Sequence, residues 1–358
     1  MKYRKATVLA QESATTPATK TIDLDLTEVI SRLRIQVRAT NSNNTMIGHP
    51  AKIIKNVQLV DGSDVLLSLT GEELQAVSFY GTKKRQMDVI SFMTGDITQP
   101  AMDIFFGRHM WDSLLAFDPK KFTNPQLKIQ HDLGLGGSTP TAMTLAVYAD
   151  LFDEKVVSPS GFLMNKEIYS YNAAANAHKY IDLPTDFPYR MLIIQALAPD
   201  KMPSDQLNNI KLSENIDKKV VMDLGVKDLL KNLLTETDPL IEDILAYIAN
   251  TSTRVWTQIG YEGVAVGNNY GLTGYLMANG GIAGGTFNAT SATSANVRFL
   301  TRGWCPHSAL QIMPGNLDDP EDWYDPTALK SLRLDILGDT APTTTTPVNI
   351  ITQQIRKY

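Results

Sequence analysis

Short runs of alternating apolar and polar residues dominate the first part of this chain. In the run Leu33-Arg-Ile-Gln-Val37, Leu33, Ile35 and Val37 fall on one face, and Leu127-Lys-Ile129 repeats the pattern. The segment 141–148 (TAMTLAVY) reads as a closing strand. Residues 56–77 (NVQLVDGSDVLLSLTGEELQAV) predict strand, turn, strand and short helix. Asp61-Gly62 is the turn dipeptide, and Thr70 with Glu73 three residues on makes a capping box. A second helix is expected at 111–116. Short strands punctuated by Gly, Pro, Asn and Asp, with so few helices, point to an all-β sandwich or barrel and away from βαβ units.

The β-rich pattern occurs twice. Residues 20–39 (KTIDLDLTEVISRLRIQVRA) align without a gap on 179–198 (KYIDLPTDFPYRMLIIQALA), with eight of twenty pairs identical. The strand–turn–strand–helix order of 56–77 returns at 209–234. Near the end of each half, Asp118-Pro119 precedes Leu127-Lys-Ile129, and Asp325-Pro326 precedes Leu332-Arg-Leu334. The offset grows by about fifty residues between the second and third echoes, so the second copy carries an insertion.

This divides the chain into an N-terminal arm (1–19), a first module (20–150), a connector (151–178) and a second module (179–358). The insertion lies at about 235–319. Residues 239–249 are expected to be helical, with Leu240, Ile244, Leu245 and Ile248 on one face, and the remainder is rich in Gly, Asn, Thr and Ser. An excursion of that length from a compact β domain usually serves function or an interface. Residues 348–351 (VNII) read as a last strand or docking segment.

Composition narrows the function by exclusion. At 358 residues, 43% hydrophobic and 20% charged, the chain is globular and long enough for two cores. A formal charge of −5 gives no overall footprint for nucleic acid. The single Cys305 rules out an intrachain disulfide and a Cys-based zinc site, and fits assembly in a reducing compartment. No apolar run at the N-terminus suggests a signal peptide, and the uncharged stretch 263–297 is too rich in glycine for a membrane span.

Catalytic motifs are missing. His49, His109, His131, His178 and His307 are all more than four residues apart, so no HxH or HExxH exists, and no metal or cofactor site is expected. There is no GxSxG, and the glycine-rich 133–138 and 280–285 lack the phosphate-loop pattern. In Trp304-Cys-Pro-His307 the thiol could in principle be activated, but Pro306 interrupts the strand, and Cys305 reads as an ordinary small buried residue. The acids Asp318, Asp319, Glu321 and Asp322 before Trp323 are the one candidate glycan site. The same residues read as a helix start, with Asp319 capping and Pro320 at the first position.

Five segments resemble the double jelly-roll major capsid proteins of tailless icosahedral viruses, a lineage that includes adenovirus hexon and the membrane-containing bacteriophages. They are 30–38 (ISRLRIQVR), 54–63 (IKNVQLVDGS), 69–74 (LTGEEL), 105–108 (FFGR) and 117–129 (FDPKKFTNPQLKI). The resemblance is sharpest over 20–150. It implies two eight-stranded jelly rolls, a non-catalytic building block, and a homotrimer whose six rolls tile a pseudo-hexagon in an icosahedral virion shell assembled in the host cytoplasm. It also implies penton or minor capsid proteins and an internal lipid membrane as partners, with no sequence-specific nucleic-acid binding. The arm residues Lys2, Arg4 and Lys5 would then face lipid headgroups or neighbouring capsomers. The insertion, with its uncharged stretch 263–297, would pack against trimer neighbours. Alternative readings are a two-domain β-sandwich glycan enzyme or lectin, or a phage spike or receptor-binding protein.

Overall fold

The computed structural model describes residues 1–14, 17–85, 88–269, 275–277, 279–291 and 293–358. Part of the insertion's uncharged stretch (270–274, 278 and 292) therefore lies outside the described residues. In the first half one sheet runs Tyr3–Ala14, Pro140–Phe152, Val29–Asn41, Ala101–Phe105, with the short Ile97–Thr98 also on Val29–Asn41. The other runs Ala18–Asp23, Pro125–His131, Ile54–Asp61, Asp64–Leu69. Leu33, Ile35 and Val37 of the first sheet and Val57, Leu59, Leu127 and Ile129 of the second are buried in one core. Two four-stranded antiparallel sheets connected in this order are a jelly roll.

The second half repeats the arrangement strand for strand. One sheet is Gly161–Asn172, Pro347–Lys357, Tyr189–Gln195, Ala309–Gln311, and the other is His178–Leu183, Leu332–Gly338, Leu207–Glu214, Lys219–Gly225. Even the irregularities recur. The slip between Thr7 and Leu9 matches that between Glu167 and Tyr169, and the slip at Leu59/Val60 matches Leu212/Ser213.

Two helices of equivalent position follow the fourth strand of the second sheet in each half. Helix α1 (Gly71–Thr82) has the expected capping box, with the Thr70 hydroxyl accepting from the Glu73 N–H and the Glu73 carboxylate from the Thr70 N–H. Helix α2 (Val226–Glu236) buries only Val226, Leu229, Leu230 and Leu233, a stripe at helical spacing. The Asp-Pro turns behave as expected: Asp118 and Asp319 cap single 3-10 turns with Pro at the first position.

Four expectations fail, each for a physical reason. Residues 239–249 form a strand, Leu240–Ile248, in which 240, 242, 244, 246 and 248 point inward. The inward set includes Glu242, so its period of two was disguised by a buried acid. Residues 111–116 are an irregular loop. The Asp112 carboxylate accepts the N–H groups of Arg108, Leu114 and Leu115, which satisfies amides that a helix would have used. The polar N-terminus is no free arm, because Tyr3–Ala14 pairs along Pro140–Phe152 as an edge strand. Within 151–178, Gly161–Asn172 is a strand of the second roll.

The insertion stops short of 319, because Ala309–Gln311 belongs to the second roll, and it builds a further sheet joined at one edge by Ile90–Phe92 of the first half. Leu240–Ile248 pairs with Ala295–Pro306, which pairs with Ile259–Asn269, and shorter strands extend it to Thr253–Trp256. Its turn at Gly284-Gly285 docks against the second roll. Gly284 has φ +56°, and a Cβ there would lie 1.8 Å from the Ala198 carbonyl oxygen. Gly95 has φ +82° with open space around it. Gly95→Ala should therefore cost only the left-handed strain, about 1–2 kcal/mol. Gly284→Ala should cost clearly more in urea unfolding, because backbone must move; equal losses would show that the turn is not tightly docked.

Candidate functional site

The place where side chains converge is the seam between the two rolls. Strand Asp64–Leu69 of the first roll runs parallel to Gly161–Asn172 of the second, with Leu67 opposite Asn165 and Ser68 opposite Lys166. The pairing merges a sheet of each roll into one eight-stranded sheet. Arg356 donates to Asp64 across the seam at 2.5 Å. Ile90–Phe92 makes a second parallel pairing with Leu240–Ile248.

An aromatic cluster fastens one end. Phe106, Phe117 and Phe122 from the first half meet Phe162 and Tyr358, with Phe117 and Phe122 stacked at 4.8 Å and Phe117 edge-on to Phe162 at 5.5 Å. The Tyr358 hydroxyl donates to the Ala116 carbonyl at 2.7 Å and accepts from the Asp118 N–H at 2.6 Å. Such pairs add about 0.5–1.5 kcal/mol beyond the area they bury.

Helix α1 sits inside the seam, buried almost all round, and its polar groups are met by the other half. The Tyr80 hydroxyl donates to the Ala309 carbonyl at 2.7 Å, and the Glu73 carboxylate accepts from the Asn349 amide at 3.0 Å. The Gly81 carbonyl, near the C-terminal end, accepts from Arg190 at 3.0 Å. Arg190 is itself fully enclosed and also donates to Leu317 O and Gln353 Oε1. Burial lowers its pKa to about 10, which still leaves the guanidinium charged at neutral pH.

Two histidines and two acids close the opposite end. His307 Nε2 donates to Gln75 Oε1 at 2.8 Å, and Gln75 Nε2 donates on to Asp88 at 2.8 Å. His49 stands edge-on to His307 with ring centres 4.9 Å apart. His49 Nε2 donates to Glu242 at 3.0 Å while its Nδ1 accepts from the Ala51 N–H at 3.2 Å, capping the turn Pro50–Ile53. That second bond sets the tautomer, with the proton on Nε2. Thr257 Oγ1 (2.6 Å), Gln258 N (3.1 Å) and Gln258 Nε2 (3.1 Å) complete the shell of Glu242. A carboxylate so surrounded is held below its ordinary pKa despite its burial.

The sequence-nominated residues lie elsewhere. Arg4 pairs with Glu28 at 2.9 Å, Lys5 stands 3.8 Å from Asp150, and Lys2 is exposed at the start of the edge strand. Trp323 is buried and its indole N–H donates to Leu317 O, so no ring face is offered to a sugar beside the acids at 318–322. Burial pushes the Cys305 thiol up to about 12, the opposite of activation. A cleft of about 480 Å³ beside α1 is lined by Arg32, Arg34 and Arg108. Their guanidinium groups already bind Asp150, Asp103 and Asp112. Sequence spacing could not find the seam cluster, because His49, Glu242 and His307 come from distant segments. Only the paired Glu72-Glu73 inside an otherwise buried helix hinted at it.

Two measurements test the seam. His49→Ala and Glu242→Ala should each destabilise by about 3–5 kcal/mol, since each strands a buried polar partner. The double variant should lose distinctly less than the sum, and strict additivity would mean that the pair is not coupled. Glu73 titrates the other way. Burial, helped by the neighbouring Glu167 carboxylate, raises it from 4.5 to about 8. Between those values the folded chain holds a proton that the unfolded chain has lost, so stability falls as pH rises through that window. Glu73→Gln should remove this fall. Urea unfolding at pH 5 and pH 9 should show the variant gaining on the wild type, and parallel curves would contradict the assignment.

No protein-family model matches the sequence and no curated protein resembles it. Solved structures do resemble it. The major capsid protein of Sulfolobus turreted icosahedral virus superposes with TM-score 0.57 at 12% identity, covering 99% of this chain and 95% of that one. The major capsid protein of bacteriophage PM2 gives 0.57 and 12%, covering 99% and 98%. The PBCV-1 protein VP54 gives 0.56 and 10%, covering 99% and 93%. With the strand order above, these place the chain in the double jelly-roll fold of viral major capsid proteins.

Proposed function

We propose that this chain is a major capsid protein, a non-catalytic subunit that self-assembles into the shell of an icosahedral virus. The observation that carries the reading is full-length similarity to capsid proteins of three viruses, joined to a seam that fixes two like rolls side by side. Two rolls per chain let a trimer occupy a position of sixfold shape. The division between the rolls falls in the connection before Gly161.

The insertion supplies a surface for trimer contact. On its outer face, register places Leu300 between Asp243 and Val266, and Arg302 between Ile241 and Val264. Leu300 is 55% exposed, Val264 61% and Val266 48%, a contiguous apolar patch on a sheet. Such a patch in water marks an interaction site. Lys2, just before the edge strand Tyr3–Ala14, and Arg4 on it would contact neighbouring capsomers or lipid headgroups, and Lys5 would contact a neighbouring subunit. Penton or minor proteins and assembly in the host cytoplasm belong to the same reading.

Native mass determination should give a trimer. Val264→Lys with Leu300→Lys should weaken it at least tenfold in concentration while the circular dichroism of the chain is unchanged. A wild-type monomer at micromolar concentration would count against the capsid reading.

A further inference from the structure

The two seam strands have counterparts that are paired along one side only in the single chain. Strand Asp64–Leu69 corresponds to Lys219–Gly225, and Gly161–Asn172 corresponds to Tyr3–Ala14, as the shared bulges require. Both counterparts are sheet edges. Exposure tells the same story at matched positions: Leu69 is 1% exposed and its equivalent Leu224 is 37% exposed. Long free edges with apolar side chains are a hazard that proteins cover.

We propose that in the oligomer the edge Lys219–Gly225 of one chain pairs in parallel with the edge Tyr3–Ala14 of a second copy, so that the intrachain seam is repeated between chains. The inference rests on the trimer reading and specifies its register. Leu67 corresponds to Met222 and Ser68 to Asp223, while Asn165 corresponds to Lys5 and Lys166 to Ala6. Met222 therefore sits opposite Lys5 of the partner subunit, and Asp223 opposite Ala6 of the partner subunit.

An independent feature supports the register. The ion pair of the intrachain seam joins Asp64 to Arg356. The position equivalent to Asp64 is Lys219, and that equivalent to Arg356 is Asp153. Both charges are reversed, so the pair remains complementary. In the single chain Lys219 reaches Glu214 and has a side chain 69% exposed, and Asp153 lies 3.8 Å from Arg4, so both can be redirected.

Thiols test the register in the full chain, because the buried Cys305 leaves a low background. Met222→Cys combined with Lys5→Cys, treated with a short bifunctional thiol linker, should give covalent dimers and trimers in denaturing gels. Met222→Cys alone should give none. In parallel, Lys219→Glu should raise the concentration for trimer dissociation about tenfold, and adding Asp153→Lys should restore it. Trimers by native mass without cross-links, or without restoration, would overturn this pairing while leaving the trimer intact. A chain that stays monomeric would overturn both.

Discussion

The architecture depends on keeping every polar group of a fully enclosed helix satisfied. An ordinary surface helix buries one stripe and leaves the rest to water. Helix α1 has no wet side, yet it carries Glu73, Gln75 and Tyr80 into the interior. Each takes one partner from the other roll, respectively Asn349, His307 and the Ala309 carbonyl, while Thr70, Asp88 and the Ala101 carbonyl of their own half meet the remaining atoms of Glu73 and Gln75. Each bond broken inside would leave a polar group unmet at about 1–3 kcal/mol. Sliding one roll along the other by a single residue would break several together. The halves are thus locked in one relative position, and parallel strand pairing and stacked aromatics reinforce a placement that the helix already dictates.

Much of the fold was legible in the sequence because the inward-facing positions are apolar where the rule of two is cleanest. Leu33, Ile35 and Val37 alternate with Arg34 and Gln36, and the Thr70/Glu73 box announces α1. Legibility fails where a face is not what its period suggests. Glu242 sits in an inward row, so Leu240–Ile248 mimics a helix. Tyr3–Ala14 is an edge strand with one half-covered face, and its mixture of Ala, Thr, Gln and Glu gives little contrast. The start of Gly161–Asn172 is buried on both sides and shows no alternation. The seam cluster was invisible for a different reason, since its members meet only once the rolls are docked.

The two copies have diverged in proportion to what each must cover. Helix α1 has lost its wet face, whereas α2 keeps Lys227, Asp228 and Lys231 in solvent. The link after α1 is short, and the one after α2 expands into a separate sheet. The insertion is anchored on the roll by the close fit of Gly284 and joined to the first half through Ile90–Phe92. Its apolar outer face is thus held rigidly instead of being presented on a loose loop.

The matched bulges also speak of ancestry. A strand's alternation can be re-evolved under the demand for a dry core, but the place where one extra residue slips into a ladder is an accident of history. Slips at Thr7/Leu9 and Glu167/Tyr169, and again at Leu59/Val60 and Leu212/Ser213, are the same accidents carried twice in one polypeptide. They bend the two halves at the same points, as two copies of one module do.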